Sequence, residues 1–427
     1  MNASNTLKKL GIEQTFNYIY KDPDKNMEKL MDWADKFSKG NFPSQRKAIR
    51  EAIENPDHPY YSYIRKIFKD VDPNVAKTLA VNLFINAALI GWPKEEELRK
   101  KYNCNIPWTI LLDPTSACNL HCTGCWAAEY GHKLNLTYDE IDDIITQGKE
   151  LGVYMYIYTG GEPLVRKKDL IRLCEKHSDC VFLCFTNATL IDEEFADEML
   201  RVGNFVPAIS LEGFEEATDG RRGNGVYQKV TKAMALLREK KLIYGISCCY
   251  TSANYDSITS EEFYDSMIDL GAYFVWYFHY MPVGNDAAVE LLPTKEQREY
   301  MYHRVRKIRS TNGGKPIFAM DFQNDGEFVG GCIAGGRNYC HINPNGDVEP
   351  CVFIHYSGAN IKEVSLLDAL RQPLFMAYRD YQPFNCNHLK PCPMLENPEL
   401  LQQMVHETGA KSTDLQSPET AEHLCAK

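Results

Sequence analysis

From residue 108 onward, short apolar runs alternate with longer stretches in which apolar residues recur at every third or fourth position. The short runs predict β-strands, and the longer stretches predict amphipathic helices. Six strands are predicted, at 108–113, 153–158, 180–186, 206–211, 243–250 and 273–280. Helices are predicted after them at 137–151, 167–177, 192–202, 226–240, 260–270 and 294–309. Six strand–helix units in series indicate an α/β fold, a TIM-like partial (β/α)6 barrel with a parallel sheet wrapped by helices.

The first hundred residues carry a helical pattern instead. Apolar residues at three- and four-residue spacing predict helices at 27–39, 44–54 and 59–68. The next segment, 75–91, is largely apolar; it contains one charge, Lys77, and is interrupted by Asn82 and Asn86. It is shorter than a membrane span, which needs about 20 apolar residues. We interpret it as a helix packed against the barrel, in preference to a surface that meets lipid.

The pattern divides the chain into a helical N-terminal extension (1–104), the barrel (105–320), a small loop-rich domain (321–398) and a C-terminal tail (399–427). The formal net charge of -11 argues against general nucleic-acid binding, which needs a basic face. The N-terminal residues lack the apolar core of a secretory signal. Fifteen cysteines without such a signal favour metal or redox chemistry in a reducing cytoplasm over a disulfide framework.

Three of these cysteines lie on one loop directly after the first predicted strand, in the pattern Cys118-x3-Cys122-x2-Cys125. Parallel α/β folds build their sites at that end of the strands. Three thiolates on a short loop can bind three irons of a four-iron cluster and leave the fourth iron open to a ligand. The alternatives are buried structural cysteines, or a zinc knuckle that includes His121.

This cysteine spacing, after a strand and followed by an aromatic residue, resembles the signature of the radical S-adenosylmethionine enzymes. The core of that family is a six-unit partial barrel, as predicted here. The resemblance implies a [4Fe–4S] cluster whose open iron binds the amino and carboxylate groups of S-adenosylmethionine. A single electron, from a reductant such as ferredoxin or flavodoxin, then releases a 5′-deoxyadenosyl radical that abstracts hydrogen from a substrate.

Further motifs follow the second strand and the fourth. Gly160, Gly161, Glu162 and Pro163 resemble the GGEP motif of the family, which implies hydrogen bonds to the amino group of S-adenosylmethionine. Paired glycines let the backbone approach a ligand closely, although they are also common in ordinary turns. After the fourth strand, Ser210 and Glu212 match the family position at which polar side chains hold the ribose or the carboxylate.

Arg221 and Arg222 follow, and a cation at this point can pair with the methionine carboxylate. We assign that role to Arg222; the alternative for either arginine is a solvated surface charge. The sixth strand ends in residues 279–284, which we interpret as a wall for the adenine. No side chain is assigned a catalytic role.

The C-terminal third holds a second group of cysteines. Cys332 and Cys351 flank residues 341–351, which are predicted to form a hairpin with a turn at Pro344-Asn345-Gly346. The pattern Cys-x13-Gly-x4-Cys resembles the opening of the SPASM domain and of its shorter form, Twitch. A full SPASM domain continues with Cys-x2-Cys-x5-Cys-x3-Cys, whereas this chain has only Cys386-x5-Cys392.

The resemblance therefore implies one additional iron–sulfur cluster in this region rather than two. Its expected ligands are Cys332, Cys351 and Cys392, with Cys386 or Cys340 as the fourth unless an iron stays open. A zinc site or free buried thiols are the alternatives. The remaining cysteines of the barrel and its approach are interpreted as packing residues: Cys104, Cys174, Cys180, Cys184, Cys248 and Cys249.

Two classes of substrate are compatible with the predicted architecture. Proteins with SPASM-like domains often modify peptides, whereas the tetraether and membrane-spanning lipid synthases join lipid chains. The apolar 75–91 segment favours a lipid substrate, whose unactivated C–H bond would be coupled or oxidised, and peripheral membrane contact. The alternatives are a peptide or protein maturase and a non-catalytic iron–sulfur electron carrier. A maturase normally carries a leader-binding domain with alternating strands, and the N-terminal pattern lacks them.

Overall fold

The computed structural model describes residues 43–127, 133–283 and 287–414, together with 11, 14–27, 29, 31, 32, 35 and 40. Its centre is a nine-stranded sheet in the order β7-β6-β5-β4-β3-β2-β1-β8-β9. The strands are β1 Thr109–Leu112, β2 Met155–Tyr158, β3 Val181–Thr186, β4 Phe205–Ser210, β5 Gly245–Tyr250, β6 Phe274–His279, β7 Phe318–Asp321, β8 Tyr339–Ile342 and β9 Val348–Glu349. Neighbouring strands are parallel throughout, except for the antiparallel pair β8 and β9.

The six strands expected from the sequence are confirmed. Five are shorter than predicted by one or two residues at one or both ends, and the fourth keeps its length but begins and ends one residue earlier. The α/β fold class is confirmed as well, as a partial barrel of parallel strands. β7 was missed, and β8 was expected only as one arm of the hairpin at 341–351, without its pairing to β1. Each has only four residues, and β8 gains its place by pairing with β1, where Leu111 lies opposite His341. A contact between segments so distant in sequence leaves no local pattern.

Helices follow the strands at Tyr138–Leu151, Lys167–Lys176, Glu193–Val202, Glu215–Arg222, Val226–Glu239, Glu261–Leu270 and Lys295–Arg309. Several of them begin at a side chain that caps free backbone amides, as Thr137 does in a capping box with Glu140. Gly152 and Gly271 end two of these helices in the left-handed conformation that glycine adopts without strain. Short 3-10 turns lie at Pro163–Arg166, Ser257–Thr259 and Val289–Leu291.

Alternate strand residues face opposite sides of the sheet. Ile110, Tyr156 and Ile246 belong to the large core between the sheet and its helices, where each is fully buried. Ile157 and Ala208 face the inside of the barrel, in a smaller apolar cluster. Side chains that point inward near the carboxyl ends of the strands are therefore the ones available to a site.

In the N-terminal part, helices at Pro23–Asn26, Pro43–Glu54 and Pro59–Asp70 precede a continuous helical segment. That segment consists of an α-helix Pro73–Ala80, a π-helix Val81–Gly91 and an α-helix Trp92–Tyr102. The helix predicted at 27–39 lies largely outside the described residues.

Among the described residues, the segment Pro73–Tyr102 is the one helix long and apolar enough to cross a membrane, and half of its apolar window is buried. Val75 and Leu79 join the large core. Asn82 and Asn86 donate hydrogen bonds to backbone carbonyls of residues 178–180 at 2.8–2.9 Å. The segment thus packs against the barrel, as predicted from the sequence.

The C-terminal part contributes β8 and β9, whose hairpin turns at residues 343–347 as predicted. A two-stranded sheet of β10 Tyr356–Ser357 and β11 Lys411–Ser412 lies beside it. The helices here are Gly326–Val329, Leu366–Leu370, Pro373–Tyr381 and Pro398–Thr408. Cys425 lies outside the described residues.

Candidate active site

The three cysteines of the first loop line a cavity of about 200 Å³ at the carboxyl ends of the strands. The loop is held at both ends. Ser116 exchanges hydrogen bonds with Leu134, and Thr123 pairs with the backbone and side chain of Arg221. The exposed His121 does not line the cavity. The thiols therefore face one shared cavity.

Burial raises the pKa of the Cys118 thiol to about 11, although a hydrogen bond from the amide of Leu120 lowers it in part. Burial also raises the pKa of Cys122, and the guanidinium of Arg222 opposes this shift, since its Nη1 lies 3.9 Å from Cys122 Sγ. A negative charge on Cys122 or Cys125 also raises the pKa of Cys118, and all three cysteines line the cavity. Within the described residues, no group of three or more His, Cys, Asp or Glu side chains is arranged so that it could hold a metal ion.

The glycine loop after β2 packs directly on the cysteine loop. Gly161 N donates to Thr115 O at 3.0 Å, and Glu162 N donates to Ala117 O at 2.8 Å. A Cβ on Gly161 would stand 2.3 Å from Ala117 O, and one on Gly160, whose φ is +103°, would stand 2.8 Å from Thr115 O. Only glycine lets the two backbones approach so closely.

The carboxylate of Glu162 is buried and occupied by protein donors. It accepts hydrogen bonds from Thr186 Oγ1 at 2.7 Å, Asn187 N at 2.8 Å and Leu164 N at 3.0 Å. It thereby ties the glycine loop to the end of β3. Pro163 begins a 3-10 turn and does not line the cavity, so of this motif Gly160, Gly161 and Glu162 reach it.

Glu212 and the two arginines form a buried ionic cluster. Glu212 Oε1 accepts from Arg222 Nε at 2.9 Å, and Oε2 lies 2.8 Å from Arg221 Nη1. Burial alone would raise the pKa of Glu212, but the two guanidinium groups outweigh it and hold that pKa below its usual value. The solvated-surface alternative for the arginines is wrong, since their side chains are only 13–14% exposed.

Arg221, Arg222 and Ser210 line the cavity, whereas Glu212 does not. The expectation that Glu212 contacts a ligand directly is therefore corrected. Instead, the carboxylate of Glu212 orients the two arginines, because each guanidinium group is paired with one of its oxygens.

The far wall of the cavity comes from β5 and β6. Ser247 and Cys249 line it, whereas Cys248 points into the large core. Interpreting Cys249 as a packing residue was wrong, because neighbouring residues of a strand face opposite sides. The cavity is also lined by His279, Tyr280 and Met281, which belong to the segment 279–284 that was expected to form a wall for the adenine. Gly284 lies outside the described residues.

Aromatic and aliphatic side chains complete the lining. Phe185 and Phe278 come from β3 and β6, and Trp126 follows Cys125. Val352 and Phe353 come from the C-terminal segment, directly after Cys351. The cavity is thus shared between the barrel and the second cysteine region, and its walls are largely apolar.

The second group of cysteines converges near the buried tyrosines Tyr339 and Tyr378. Burial and the charges of Cys332, Cys351 and Cys392 together raise the pKa of both tyrosines. Tyr339 donates its hydroxyl to Cys351 Sγ at 2.9 Å. Burial raises the pKa of Cys332 to about 12 and that of Cys351 to about 11.

The two candidates for a fourth ligand are not part of this group. Cys340 is fully buried in the large core, on the face of β8 opposite to Tyr339, and this position contradicts its proposed role. Cys386 is exposed, unlike the three thiols of the group. The structure therefore brings together three of the five predicted cysteines.

Comparison with protein families gives two matches that cover the two cysteine regions. The profile of the Radical SAM superfamily matches residues 112–270, and that of the SPASM iron–sulfur cluster-binding domain matches residues 332–393. The chain is a radical SAM enzyme with a SPASM domain. The SPASM match begins at Cys332, as the opening cysteine pattern predicted.

Curated relatives of this radical SAM enzyme differ in substrate. An AdoMet-dependent heme synthase of Methanosarcina barkeri is 25% identical over 61% of this chain and 80% of its own. A PqqA peptide cyclase of Streptomyces rochei is 27% identical over 65% of this chain and 77% of its own. An uncharacterized protein of Archaeoglobus fulgidus is 28% identical, and the match spans only 64% of that protein.

Among solved structures, SuiB of Streptococcus suis bound to S-adenosylmethionine resembles this chain with a TM-score of 0.57. It is 22% identical, and the match covers 70% of this chain and 75% of SuiB. At that identity the likeness shows a shared fold.

Membership of the superfamily implies a [4Fe–4S] cluster, S-adenosylmethionine and at least one additional iron–sulfur cluster. The residues present fit these groups. Three thiols border an open cavity beside a loop in which a Cβ would collide, and three more converge near Tyr339.

Sequence reasoning missed several parts of the site. Trp126 and Phe353 line the cavity without an assigned role, and so does Arg221, which was considered only beside Arg222. Cys249 lines it too, although it was interpreted as a packing residue. For Cys249 the alternation along β5 was a usable signal; Phe353 reaches the cavity only through the fold of the C-terminal segment.

Proposed function

We propose that Cys118, Cys122 and Cys125 bind the [4Fe–4S] cluster of this radical SAM enzyme, and that Gly160, Gly161, Glu162, Ser210 and Arg222 bind S-adenosylmethionine. The supporting observation is that these residues, which follow the first, second and fourth strands, line one cavity. Pro163 and Glu212 support the site from behind. We further propose that Cys332, Cys351 and Cys392 hold an additional cluster. These three cysteines lie in the loop-rich domain, residues 321–398, that we propose from the sequence.

When bound, the cluster and S-adenosylmethionine together supply an organic radical that removes hydrogen from a substrate C–H bond. The protein provides the surroundings. Arg222, held by Glu212, offers a cation to the methionine carboxylate. The aromatic walls exclude water, which keeps a reactive carbon species from side reactions.

We propose a peptide substrate that presents an apolar or aromatic side chain to the cavity. Phe185, Phe278 and Phe353 offer walls for such a group. Among the described residues that line the cavity, Arg221 and Arg222 are the only cations, and both are paired with Glu212. An acidic substrate such as a porphyrin would need more free positive charge. The peptide cyclase relatives support the same choice.

The lipid alternative rested on the apolar 75–91 segment. Because that segment packs against the barrel through Val75, Leu79 and two asparagines, it no longer favours a lipid. Membrane contact loses its support for the same reason. The electron-carrier alternative is not retained, because the chain is a radical SAM enzyme and has the cavity that a carrier does not need. We propose a reductant such as ferredoxin or flavodoxin and a cytoplasmic location.

The test is anaerobic reconstitution of the full chain with iron and sulfide, followed by dithionite and S-adenosylmethionine. We expect 5′-deoxyadenosine from the wild type and none from Cys122→Ala, while the variant keeps iron in the C-terminal region. Cys174→Ala, which removes a buried thiol of the large core that does not line the cavity, is the matched control and should retain the product. A well-loaded wild type that forms no 5′-deoxyadenosine would refute the proposal.

The substrate class is tested by comparing peptides and lipids from cells with and without the gene. Mass spectrometry should find a peptide that loses hydrogen only when the protein is present. An altered lipid fraction with unchanged peptides would restore the lipid alternative.

A further inference from the structure

A buried carboxylate–imidazole–carboxylate group joins the two cysteine regions, and the reaction described above assigns it no role. His341, on β8, lies between Asp113, which follows β1, and Glu349 of β9. His341 Nε2 is 3.0 Å from Asp113 Oδ2, and Nδ1 is 2.7 Å from Glu349 Oε2. All three side chains are 0% exposed. We call these residues the buried triad.

The ring of His341 is held from both sides. Each of its nitrogens faces a carboxylate oxygen of the buried triad. Burial alone would lower the pKa of His341, but Asp113 and Glu349 raise it to about 10. Removing one member of a buried ionic group leaves an uncompensated charge, so the members depend on one another.

One end of the triad supports the glycine loop. The Cβ and Cγ of Asp113 lie 2.9 Å from where a Cβ on Gly160 would stand, so this carboxylate side chain packs against the loop itself. The loop enters from β2 through a hydrogen bond from Thr159 N to Leu112 O at 2.9 Å. A rotation of Asp113 would therefore press on Gly160.

The other end supports the second cysteine region. Glu349 lies two residues before Cys351 on the same hairpin, and its Oε1 also accepts from Asn343 Nδ2 at 3.0 Å. In the middle, the ring of Trp126 packs edge to face on His341, with 5.9 Å between centroids. Trp126 in turn packs on Phe353 at 6.2 Å, and both line the cavity.

We propose that His341 is a positioning residue that holds the Gly160–Gly161 loop and Trp126 in register with the C-terminal cysteine hairpin, so that affinity for S-adenosylmethionine depends on a side chain that does not touch it. The inference rests on the proposed role of this loop in binding S-adenosylmethionine. It makes the buried triad the connection between the two cysteine regions.

The test compares His341→Gln with the wild type, both reconstituted as full chains. His177→Gln is the matched control, because His177 is also nearly buried and lies 2.9 Å from Asp142, away from the cavity. Affinity for radiolabelled S-adenosylmethionine is measured by anaerobic equilibrium dialysis. Iron content and the EPR spectrum of the reduced cluster, with and without S-adenosylmethionine, are recorded on the same samples.

We expect His341→Gln to keep wild-type iron and to bind S-adenosylmethionine roughly tenfold more weakly, the usual size of an indirect effect on a metal site. Its EPR spectrum should respond less to S-adenosylmethionine, a change that loss of stability alone does not produce. The control should match the wild type. Affinity of His341→Gln within twofold of the wild type would overturn the proposal.

If His341→Gln does not fold, Asp113→Asn decides by the same criterion, since it keeps the shape of the side chain and removes its charge. A wild type that fails to bind S-adenosylmethionine refutes the proposed function itself, and with it this inference. A wild type that binds and a variant that binds equally well refute only the role of His341.

Discussion

Replacing Gly161 by alanine is a direct test of the contact between the glycine loop and the cysteine loop. The added Cβ would lie 2.3 Å from Ala117 O, where an ordinary contact needs 3.4 Å or more. The neighbouring atoms are backbone, so no flexible side chain can yield. The two loops must therefore separate by about 1 Å.

That displacement has a calculable effect. The hydrogen bonds Gly161 N to Thr115 O and Glu162 N to Ala117 O, now 3.0 and 2.8 Å, would lengthen to about 4 Å and be lost. Each is worth about 1 kcal/mol net. A misplacement of about 1 Å in a positioned site can reduce the rate about 100-fold. We expect Gly161→Ala to fold, to bind S-adenosylmethionine weakly and to form 5′-deoxyadenosine about 100-fold more slowly.

The assay is 5′-deoxyadenosine formation under dithionite, with iron content measured on the same sample. Gly220→Ala is the matched control, because a Cβ there meets nothing within 4 Å. It should behave as the wild type does. Production by Gly161→Ala within twofold of the wild type would refute the reasoning, since the close approach of the two backbones would then be irrelevant to the site.

Two further predictions concern parts of the molecule away from the first cysteine loop. Burial raises the pKa of Glu95 to about 9, against the opposing charge of Arg99. Since the folded state holds this proton more tightly than the unfolded state, wild-type stability falls as pH rises from about 4.5 to about 9, by at most about 1.4 kcal/mol per pH unit. Glu95→Gln cannot ionise at this position and so does not lose stability in this way as the pH rises. The melting temperature of the variant should therefore exceed that of the wild type by more at pH 8 than at pH 5. The same difference in melting temperature at both pH values would contradict the burial argument. The second region is tested in a variant in which Cys118, Cys122 and Cys125 are all replaced by alanine, so that only the C-terminal cysteines can bind iron. In this background we expect Cys392→Ala to lower the amount of bound iron and Cys340→Ala to leave it unchanged. The iron content of the purified proteins is the measurement.

Much of the barrel was predictable because its pattern is local. The six strands and their helices carry apolar residues at the period of their own structure, and helix starts such as Thr137 are marked by capping residues. The cysteine and glycine loops follow strands directly, so the topology that places them together could be stated in advance.

The missed features depend on contacts between distant segments. β8 has four residues and is defined by pairing with β1 across more than two hundred positions of sequence. His341 was seen only as part of a hairpin, because its partners Asp113 and Glu349 are brought to it by that pairing. Cys340 was proposed as a ligand on spacing, whereas the alternation of β8 turns it into the core.

The claim on which the rest depends is that three thiols leave one iron of the cluster open to S-adenosylmethionine. Electron–nuclear double resonance on the reduced, reconstituted protein measures this directly, with ¹⁵N in the amino group and ¹⁷O in the carboxylate of the methionine portion. We predict that both labels couple strongly to the cluster spin, as directly bound atoms do. Bound S-adenosylmethionine with no coupling from either label would contradict the account.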